Sequence, residues 1–336
     1  MRIGFWIKNA RNIALPQSLL PCLTAIVLCI GEEGFVWWLA IPVILGVCAA
    51  HLGMNLADDY FDYKHDSRTR ADISSTSIRA RMEKCHYLGE GKATVRELGW
   101  AIVGFLAFAA AMGGIVLVGQ WLLHGWQATM GMVIYAILGL IIGINYSGKP
   151  LELGYHGLGE LVIGMMFGPL LMLGVQAALT GNPFTWEMLC MSVGIGCMVT
   201  NIVYVHSVME VHADAELGKM TFARLLKSKA AMVIFIGFFA MMPFVMLGLG
   251  IAMGWWSAWY LLTLATLPMS VYLIHSTRLF AYGLPREDTP HWWMGPMGNW
   301  EGYKKAGIDW FLYRWLLARN ICTFFCLILC VVSLVF

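Results

Sequence analysis

Nine long apolar segments constrain the fold of this chain more than any other feature of its sequence. Each is close to the roughly 20 residues that an α-helix needs to cross the hydrocarbon core of a bilayer. The segments lie at residues 14–30, 35–57, 98–118, 128–146, 157–180, 186–209, 230–250, 255–275 and 315–336. The sequence therefore predicts an all-α polytopic membrane protein with nine transmembrane helices.

The composition excludes two other classes of protein. Of the 336 residues, 59% are hydrophobic and 12% are charged, whereas a soluble domain carries about 25% charged residues. This difference excludes an ordinary soluble fold, and the high apolar content excludes a disordered chain. The net charge of +2 gives no reason to expect nucleic acid as a partner. The partner that the composition predicts is the lipid bilayer.

The basic residues fall on one side of the predicted helices. Every second connection between the predicted helices, the first of them near residue 31, carries no lysine or arginine. All 22 lysines and arginines lie in segments 1–13, 58–97, 147–156, 210–229 and 278–319. Because cytoplasmic loops are enriched in basic residues, this pattern predicts a multi-pass protein of the cell membrane with its N-terminus in the cytoplasm and its C-terminus outside.

A first acidic motif, residues 51–66, follows the second apolar segment. At 100° per residue on a helix, Asn55, Asp59 and Asp62 share one face. Asp58 lies to the side of this face. The pattern indicates a helix that carries several carboxylates to the cytoplasmic end of its span.

A second acidic motif, residues 206–219, follows the sixth apolar segment. His206, Glu210 and Asp214 stack at intervals of four residues on one helix face. Each lies 155 residues after its counterpart in the first motif. The shared interval predicts two pseudo-repeated four-helix units of parallel orientation plus a C-terminal helix.

Carboxylates that converge at a membrane surface repel one another, and a divalent cation relieves this repulsion. Hard oxygen ligands favour Mg²⁺, which usually keeps waters and bridges carboxylates to a phosphate group. The basic loop 58–97 and Lys219 would help to hold an anion as strongly charged as a diphosphate. Two solvated helix ends are the alternative interpretation, and two motifs on the same side make it the less favoured one.

At this point the sequence resembles the UbiA-type intramembrane prenyltransferases, and most closely the branch that prenylates 1,4-dihydroxy-2-naphthoate in menaquinone synthesis. Three stretches carry the resemblance: NLADDYFDY at 55–63, YSGKPLELGYHGLGE at 146–160 and GKMTFA at 218–223. Two departures are Glu210, where the family has Asp, and Tyr63, where the wider superfamily often has a third Asp.

The resemblance implies roles for individual residues. It implies two Mg²⁺ ions that bridge the diphosphate, one of them at the first acidic motif and the other at the second. The implied metal ligands are Asn55, Asp58, Asp59, Asp62, Glu210 and Asp214. Four of these are also the expected catalytic residues, namely Asp59, Asp62, Glu210 and Asp214. The candidates for contact with the diphosphate are Asn55, Arg68, Arg70, Tyr146, Lys149 and Lys219.

The resemblance also implies a reaction. A polyprenyl diphosphate would ionise to an allylic cation, which the electron-rich ring of an aromatic acceptor attacks. With 1,4-dihydroxy-2-naphthoate as the acceptor, carbon dioxide is lost and demethylmenaquinone results. The whole chain, 1–336, would be one transmembrane prenyltransferase domain. Its cytoplasmic parts would be loops 58–97 and 210–229 and a Trp-rich loop at 276–314, which has no role that we recognise.

Three alternatives stay open at this stage. The acceptor could instead be hydroxybenzoate, homogentisate, a porphyrin or a glycerophosphate lipid. Paired acidic sites in repeated halves also suit a cation-coupled secondary transporter, although such sites lie near the bilayer midplane rather than beside basic loops. His51 and His206 could ligate haem, but hydrogen bonding to the acidic residues is the role that we favour for them.

Overall fold

The computed structural model describes residues 2–65, 85–216 and 218–336. Within these ranges the backbone forms helices and loops, with one isolated parallel β-bridge between His156 and Met220. The all-α class predicted from the sequence is therefore confirmed. The α-helices are α1 (Ile3–Asn9), α2 (Pro16–Leu28), α3 (Ala40–His65), α4 (His86–Gly89), α5 (Val95–His124), α6 (Trp126–Ser147), α7 (Gly159–Met165), α8 (Leu171–Thr180), α9 (Trp186–Met209), α10 (Val211–Glu216), α11 (Phe222–Leu226), α12 (Lys229–Ala252), α13 (Leu267–Tyr282), α14 (Trp300–Ala306) and α15 (Asp309–Val335).

Eight helical spans in the described part of the chain are long and apolar enough to cross a membrane. Two of them are composite, since a π-helical turn at Met166–Leu170 joins α7 to α8 and a 3₁₀ segment at Ala258–Thr266 precedes α13. The predicted first span corresponds to α2, which has only 13 residues. It reaches spanning length only together with α1, and the two are bent by 59°. The predicted nine is thus the upper limit of the observed count.

Local sequence signals explain where the long helix α5 begins and ends. Thr94 and Glu97 form a capping box, in which the Glu97 backbone N–H donates to Thr94 Oγ1 at 3.2 Å and the Thr94 backbone N–H donates to Glu97 Oε2 at 2.7 Å. The helix ends at Gly125, whose φ of +83° is rarely adopted by residues with a side chain.

Contacts divide the chain into two units, and the first comprises Met1–Leu153 and Leu170–Thr185. Its centre is the pair α3 and α5, which lie side by side. A Cβ atom added at Gly53 would lie 3.1 Å from the Cβ of Phe105, so the absent side chain permits the close approach of the two helices. The helix α3 continues to His65, well past the predicted end of its apolar segment at residue 57.

The second unit comprises Gly154–Pro169 and Trp186–Phe336. Its central helix is α9, which packs against α7, α12 and α15. At the contact with the π-helical turn after α7, a Cβ atom on Gly168 would lie 2.6 Å from the Cα of Gly196. Small residues therefore let two backbones meet directly, as they commonly do between membrane helices.

A hydrophobic cluster in the first unit joins α1, α3, α4 and the start of α5. Trp6 and Tyr87 meet edge to face, with ring centroids 5.7 Å apart. The cluster holds the N-terminal segment and the segment that begins at Cys85 against the carboxyl-terminal half of α3. We call it the Trp6 cluster; its buried members are Trp6, Ala10, Leu52, Leu56, Cys85, Tyr87, Leu88, Ala93, Leu98 and Ala101.

Candidate active site

The first acidic cluster, which consists of Asn55, Asp58, Asp59 and Asp62, lies in the carboxyl-terminal half of α3. The Asp59 carboxylate is 2% exposed and that of Asp58 is 18% exposed, while Asn55 and Asp62 are half-buried. The helix thus places a buried carboxylate at the end of an apolar span, where an uncompensated charge is costly. The structure brings these four predicted residues together on one element.

Arg11 binds this cluster from the short connection between α1 and α2. Its Nη2 donates to the Asn55 carbonyl oxygen at 2.8 Å and to Asp58 Oδ2 at 3.0 Å. It also lies 3.4 Å from Asp59 Oδ1. The Asn55 amide in turn donates to the Ala10 carbonyl at 2.9 Å, which fastens this connection to α3. A single guanidinium group therefore contacts both adjacent carboxylates.

Two residues of the Trp6 cluster also contact Asp59. The Tyr87 hydroxyl donates to Asp59 Oδ2 at 3.1 Å, and the Cys85 thiol lies 3.5 Å from the Asp59 carbonyl oxygen. Burial and the adjacent Asp59 carboxylate raise the pKa of Tyr87 above its usual value. The phenol therefore stays protonated and remains a hydrogen-bond donor across the physiological pH range.

The end of α6 reaches the same cluster. The Ser147 hydroxyl donates to Asp58 Oδ1 at 2.5 Å, and a Cβ atom on Gly148 would lie 3.1 Å from the Phe61 ring. Tyr146 is half-buried beside this contact, and Lys149 follows it in an exposed position. The predicted phosphate candidates of this loop, Tyr146 and Lys149, therefore flank in sequence the two residues that contact α3.

The second acidic cluster, Glu210 and Asp214, lies where α9 passes into α10. The two carboxylate residues are 3% and 1% exposed. Helical hydrogen bonding continues through the break, since the Asp214 backbone N–H donates to the Glu210 carbonyl at 2.8 Å. His206 Nε2 lies 2.6 Å from Glu210 Oε2, so this histidine takes the hydrogen-bonding role that the sequence analysis favoured for it.

The loop after α10 folds back onto the second acidic cluster. The Lys219 backbone N–H donates to the Asp214 carbonyl at 2.9 Å. Arg224 Nη1 donates to the same carbonyl at 3.2 Å and also to the Lys219 carbonyl. The Lys219 ammonium lies 5.5 Å from the centroid of the Tyr155 ring. The predicted phosphate ligand Lys219 is thus held beside Asp214 by its backbone.

Glu160 anchors this loop from α7. Both of its carboxylate oxygens accept from the Phe222 backbone N–H, each at 3.2 Å. Phe222 is the first residue of α11, so a buried side chain from another helix caps the N-terminus of α11. A second tie is the hydrogen bond from the Gly157 backbone N–H to the Met220 carbonyl, at 3.0 Å.

Several residues of the site were not predicted from the sequence, and two predicted residues fall outside the part of the chain that the structure describes. Arg68 and Arg70 lie outside the described residues. Arg11 was counted only as a cytoplasmic basic residue, although its position before a predicted span would have allowed a contact with the first motif. Tyr87, Ser147 and Arg224 reach the clusters through tertiary contacts that no local pattern signals.

The donor chemistry of both clusters fits a hard divalent cation such as Mg²⁺. The buried oxygens of Asp59, Glu210 and Asp214 are the kind of ligand that this ion prefers. Within residues 2–65, 85–216 and 218–336, no three His, Cys, Asp or Glu side chains gather into a complete metal site. In proteins, Mg²⁺ usually keeps several waters and is bound through one or two carboxylates together with phosphate oxygens.

Two bacterial relatives match most of the chain. A 1,4-dihydroxy-2-naphthoate octaprenyltransferase of Mycobacterium tuberculosis is 26% identical over 250 residues, which cover 74% of this chain and 79% of the relative. A 2-carboxy-1,4-naphthoquinone phytyltransferase of Synechocystis is 27% identical over 234 residues, which cover 69% and 68%.

Two solved structures share the fold. One, from a study of digeranylgeranylglyceryl phosphate synthase, superposes with a TM-score of 0.62 at 13% identity and covers 98% of both chains. The other, a UbiA homologue of Archaeoglobus fulgidus bound to GPP and Mg²⁺, has a TM-score of 0.50 at 15% identity and covers 94% of this chain and 99% of its own. The model of the UbiA prenyltransferase family matches residues 18–295. The chain therefore belongs to the UbiA prenyltransferase family.

Proposed function

We propose that this membrane protein transfers a polyprenyl chain from an allylic diphosphate to 1,4-dihydroxy-2-naphthoate, with loss of carbon dioxide. The product is a prenylated naphthoquinol, whose oxidised form is demethylmenaquinone. The observation that carries the proposal is the pair of buried acidic clusters at the ends of α3 and α9, in a chain of the UbiA family. Family membership also favours the transferase over the transporter, the alternative from another functional class.

The choice of acceptor is supported by the two bacterial relatives. One is named for a dihydroxynaphthoate and the other for a carboxynaphthoquinone, and they are named for different prenyl groups. What they share is a bicyclic ring that bears a carboxylate. We therefore assign a naphthoate acceptor and a prenyl diphosphate donor to this chain.

The proposed reaction replaces one bond at the allylic carbon of the donor and one bond at the ring carbon that carries the carboxylate. The C–O bond between the prenyl group and the diphosphate breaks, and its electron pair leaves with the diphosphate. The allylic carbon then bonds to the ring carbon that carries the carboxylate. Carbon dioxide departs from that carbon and leaves its bonding electrons in the ring, which restores the aromatic system.

The residues of the clusters act on the donor rather than on the ring. We assign one Mg²⁺ to Asn55, Asp58, Asp59 and Asp62 and a second to Glu210 and Asp214. When bound, Mg²⁺ neutralises the charge that develops on the leaving diphosphate. Lys219 and Lys149 are further cationic contacts for phosphate oxygens, and the apolar helices around the clusters exclude water that would quench the cation.

The test is a turnover assay on purified protein in lipid vesicles. With Mg²⁺ and a polyprenyl diphosphate, the naphthoate should release diphosphate and yield a prenylated quinol that mass spectrometry identifies. A panel with hydroxybenzoate, homogentisate and a glycerophosphate acceptor tests the choice of ring. Turnover of one of these in place of the naphthoate would overturn the acceptor, and no turnover with any would overturn the transferase.

Isosteric variants test the two clusters. Asp59→Asn and Asp214→Asn should each lower turnover by more than about 100-fold, since loss of an outer-shell partner of a metal ligand alone typically costs 10–100-fold. Glu187→Gln is the control, because Glu187 lies in the first turn of α9, at the opposite end of that helix from Glu210. Normal turnover in both cluster variants would remove the assignment of the metal ligands.

A further inference from the structure

The Nη2 atom of Arg11 lies among three oxygen atoms of the first acidic cluster. These are the Asn55 carbonyl oxygen at 2.8 Å, Asp58 Oδ2 at 3.0 Å and Asp59 Oδ1 at 3.4 Å. Two carboxylate oxygens and one carbonyl oxygen around a single point are the donor set of a hard cation. In this structure a protein cation therefore takes the place that such a donor set offers to a metal ion.

The chain fixes Arg11 in this place from its backbone. Arg11 has a φ of +58°, which residues with a side chain seldom adopt. On one side, the preceding Ala10 is fully buried and its carbonyl accepts from Asn55. On the other side, the 3₁₀ turn that begins at Asn12 leads into α2. The backbone of Arg11 is therefore held next to the carboxylates.

The guanidinium is nevertheless incompletely satisfied where it lies. Its Nε is buried and makes no hydrogen bond with the residues that the structure describes. A buried donor without an acceptor is unfavourable. The contact is therefore less stabilising than a bidentate arginine–carboxylate pair would be. The arrangement suits a cation that leaves when a better partner for the carboxylates arrives.

We propose that Arg11 is a built-in counter-cation that competes with the divalent ion for Asp58 and Asp59. A Mg²⁺ ion on these oxygens would lie close to the guanidinium and repel it, so both cannot occupy the cluster at full strength. The free protein then binds the ion weakly at this cluster. Binding becomes tight when a diphosphate adds negative charge. This inference rests on the proposed function, since it assigns the ion to the first cluster.

The test measures metal affinity rather than turnover. Mn²⁺ replaces Mg²⁺ as a spectroscopic probe, and its binding to the full-length protein in detergent is titrated by electron paramagnetic resonance without any diphosphate. Arg11→Gln removes the charge and should bind Mn²⁺ at least about tenfold more tightly than the unaltered protein, because it removes the repulsion between two cations a few ångströms apart. Arg11→Lys keeps the charge and should stay within about threefold.

A second arm adds inorganic pyrophosphate. The affinity of the unaltered protein for Mn²⁺ should then rise, and its difference from Arg11→Gln should shrink. The inference would be overturned if Arg11→Gln bound Mn²⁺ no more tightly than the unaltered protein. It would also be overturned if Arg11→Lys gained as much Mn²⁺ affinity as Arg11→Gln. Arg11→Met, a neutral side chain of similar length, repeats the titration if Arg11→Gln does not fold by tryptophan fluorescence.

The two proposals fail separately. The Mn²⁺ titration uses neither a prenyl donor nor an acceptor. If Arg11→Gln shows no gain in Mn²⁺ affinity while the unaltered protein transfers prenyl groups normally, only the proposed role of Arg11 is removed. A gain in Mn²⁺ affinity beside absent prenyl transfer leaves the competition intact and removes the reaction.

Discussion

At the scale of single residues, Asp59 shows how its neighbours set the properties of a buried carboxylate. Its Oδ2 accepts from the Tyr87 phenol at 3.1 Å, while its Oδ1 lies 3.4 Å from Arg11. The two oxygens therefore face different partners, one neutral and one cationic. The neutral partner donates to one oxygen, and the cationic partner lies beside the oxygen that we assign to the metal ion.

Tyr87→Phe removes the neutral partner and keeps the ring. Because Asp59 loses a buried donor, we expect a loss of stability of about 1 kcal/mol and a decrease in turnover of about tenfold. Thermal unfolding and the transferase assay measure the two effects. Tyr60→Phe is the control, since the Tyr60 ring packs against the same cluster and its hydroxyl makes no hydrogen bond within the described residues. Equal turnover in the two variants would contradict the role of Tyr87.

Single residues also mark the limit of what the sequence could predict. Asn55, Asp59 and Asp62 were identified because helical spacing places them on one face, and the structure keeps them on one helix. Tyr87 lies 28 residues from Asp59, and Ser147 lies 89 residues from Asp58. Such contacts depend on how helices pack, which the apolar pattern of a membrane protein does not encode.

At the scale of elements, the five-residue helix α11 is too short to be stable alone. Glu160 caps its first N–H from α7, and the bond from Gly157 to Met220 pairs the two loops. The loop that carries Lys219 is therefore held from α7 as well as from α10. The position of Lys219 beside Asp214 depends on this external anchor.

Glu160→Ala should free the Phe222 N–H and loosen the loop. We expect faster hydrogen exchange across residues 218–226 and a decrease in kcat/KM of about tenfold, because a buried donor without its acceptor costs about 1–3 kcal/mol. Glu160→Gln keeps an acceptor and should retain turnover within about threefold, which separates anchoring from charge.

Glu187→Ala is the matched control for this experiment, since Glu187 is the second residue of α9 as Glu160 is of α7. Unchanged exchange across 218–226 in Glu160→Ala would contradict the anchoring role.

Element boundaries were predicted well where hydropathy alone determines them. The segment 186–209 coincides with α9, and 128–146 lies within α6. The segment 157–180 is broken by the π-helical turn at Met166–Leu170, which contains Pro169. Proline removes a backbone donor and so interrupts the hydrogen bonds of a helix. Pro169 was therefore a local signal for this break, which the hydropathy of the segment does not show.

At the scale of the whole molecule, the charge pattern predicts the orientation of the chain in the membrane. All lysines and arginines fall in alternate connections, and eight or nine helical spans are present in the described chain. An odd count places the termini on opposite sides of the membrane. An even count, in which α1 and α2 lie at the surface without crossing, places them on the same side.

Reporter fusions distinguish these arrangements. A fluorescent protein that folds only in the cytoplasm should be bright at the N-terminus and dark after Phe336, and alkaline phosphatase should be active after Phe336 only. This result follows from nine spans with basic loops inside. The control is a fusion after Leu284, which follows α13 on the predicted cytoplasmic side and should be bright. The same fluorescence result at the N-terminus and after Phe336 would contradict nine spans.

The hydrogen bond between Ser147 and Asp58 connects the first acidic cluster to the end of α6, a helix with exposed apolar side chains. Ser147 is the last residue of α6, and side chains along that helix, such as Ile134 and Ile137, are more than half exposed. Tilting is one response of a membrane helix to a change in bilayer thickness, and we expect the end of α6 to move with it. Vesicle thickness is therefore a variable of every measurement on Asp58, and reconstitution in lipids of two acyl lengths belongs in the design of each.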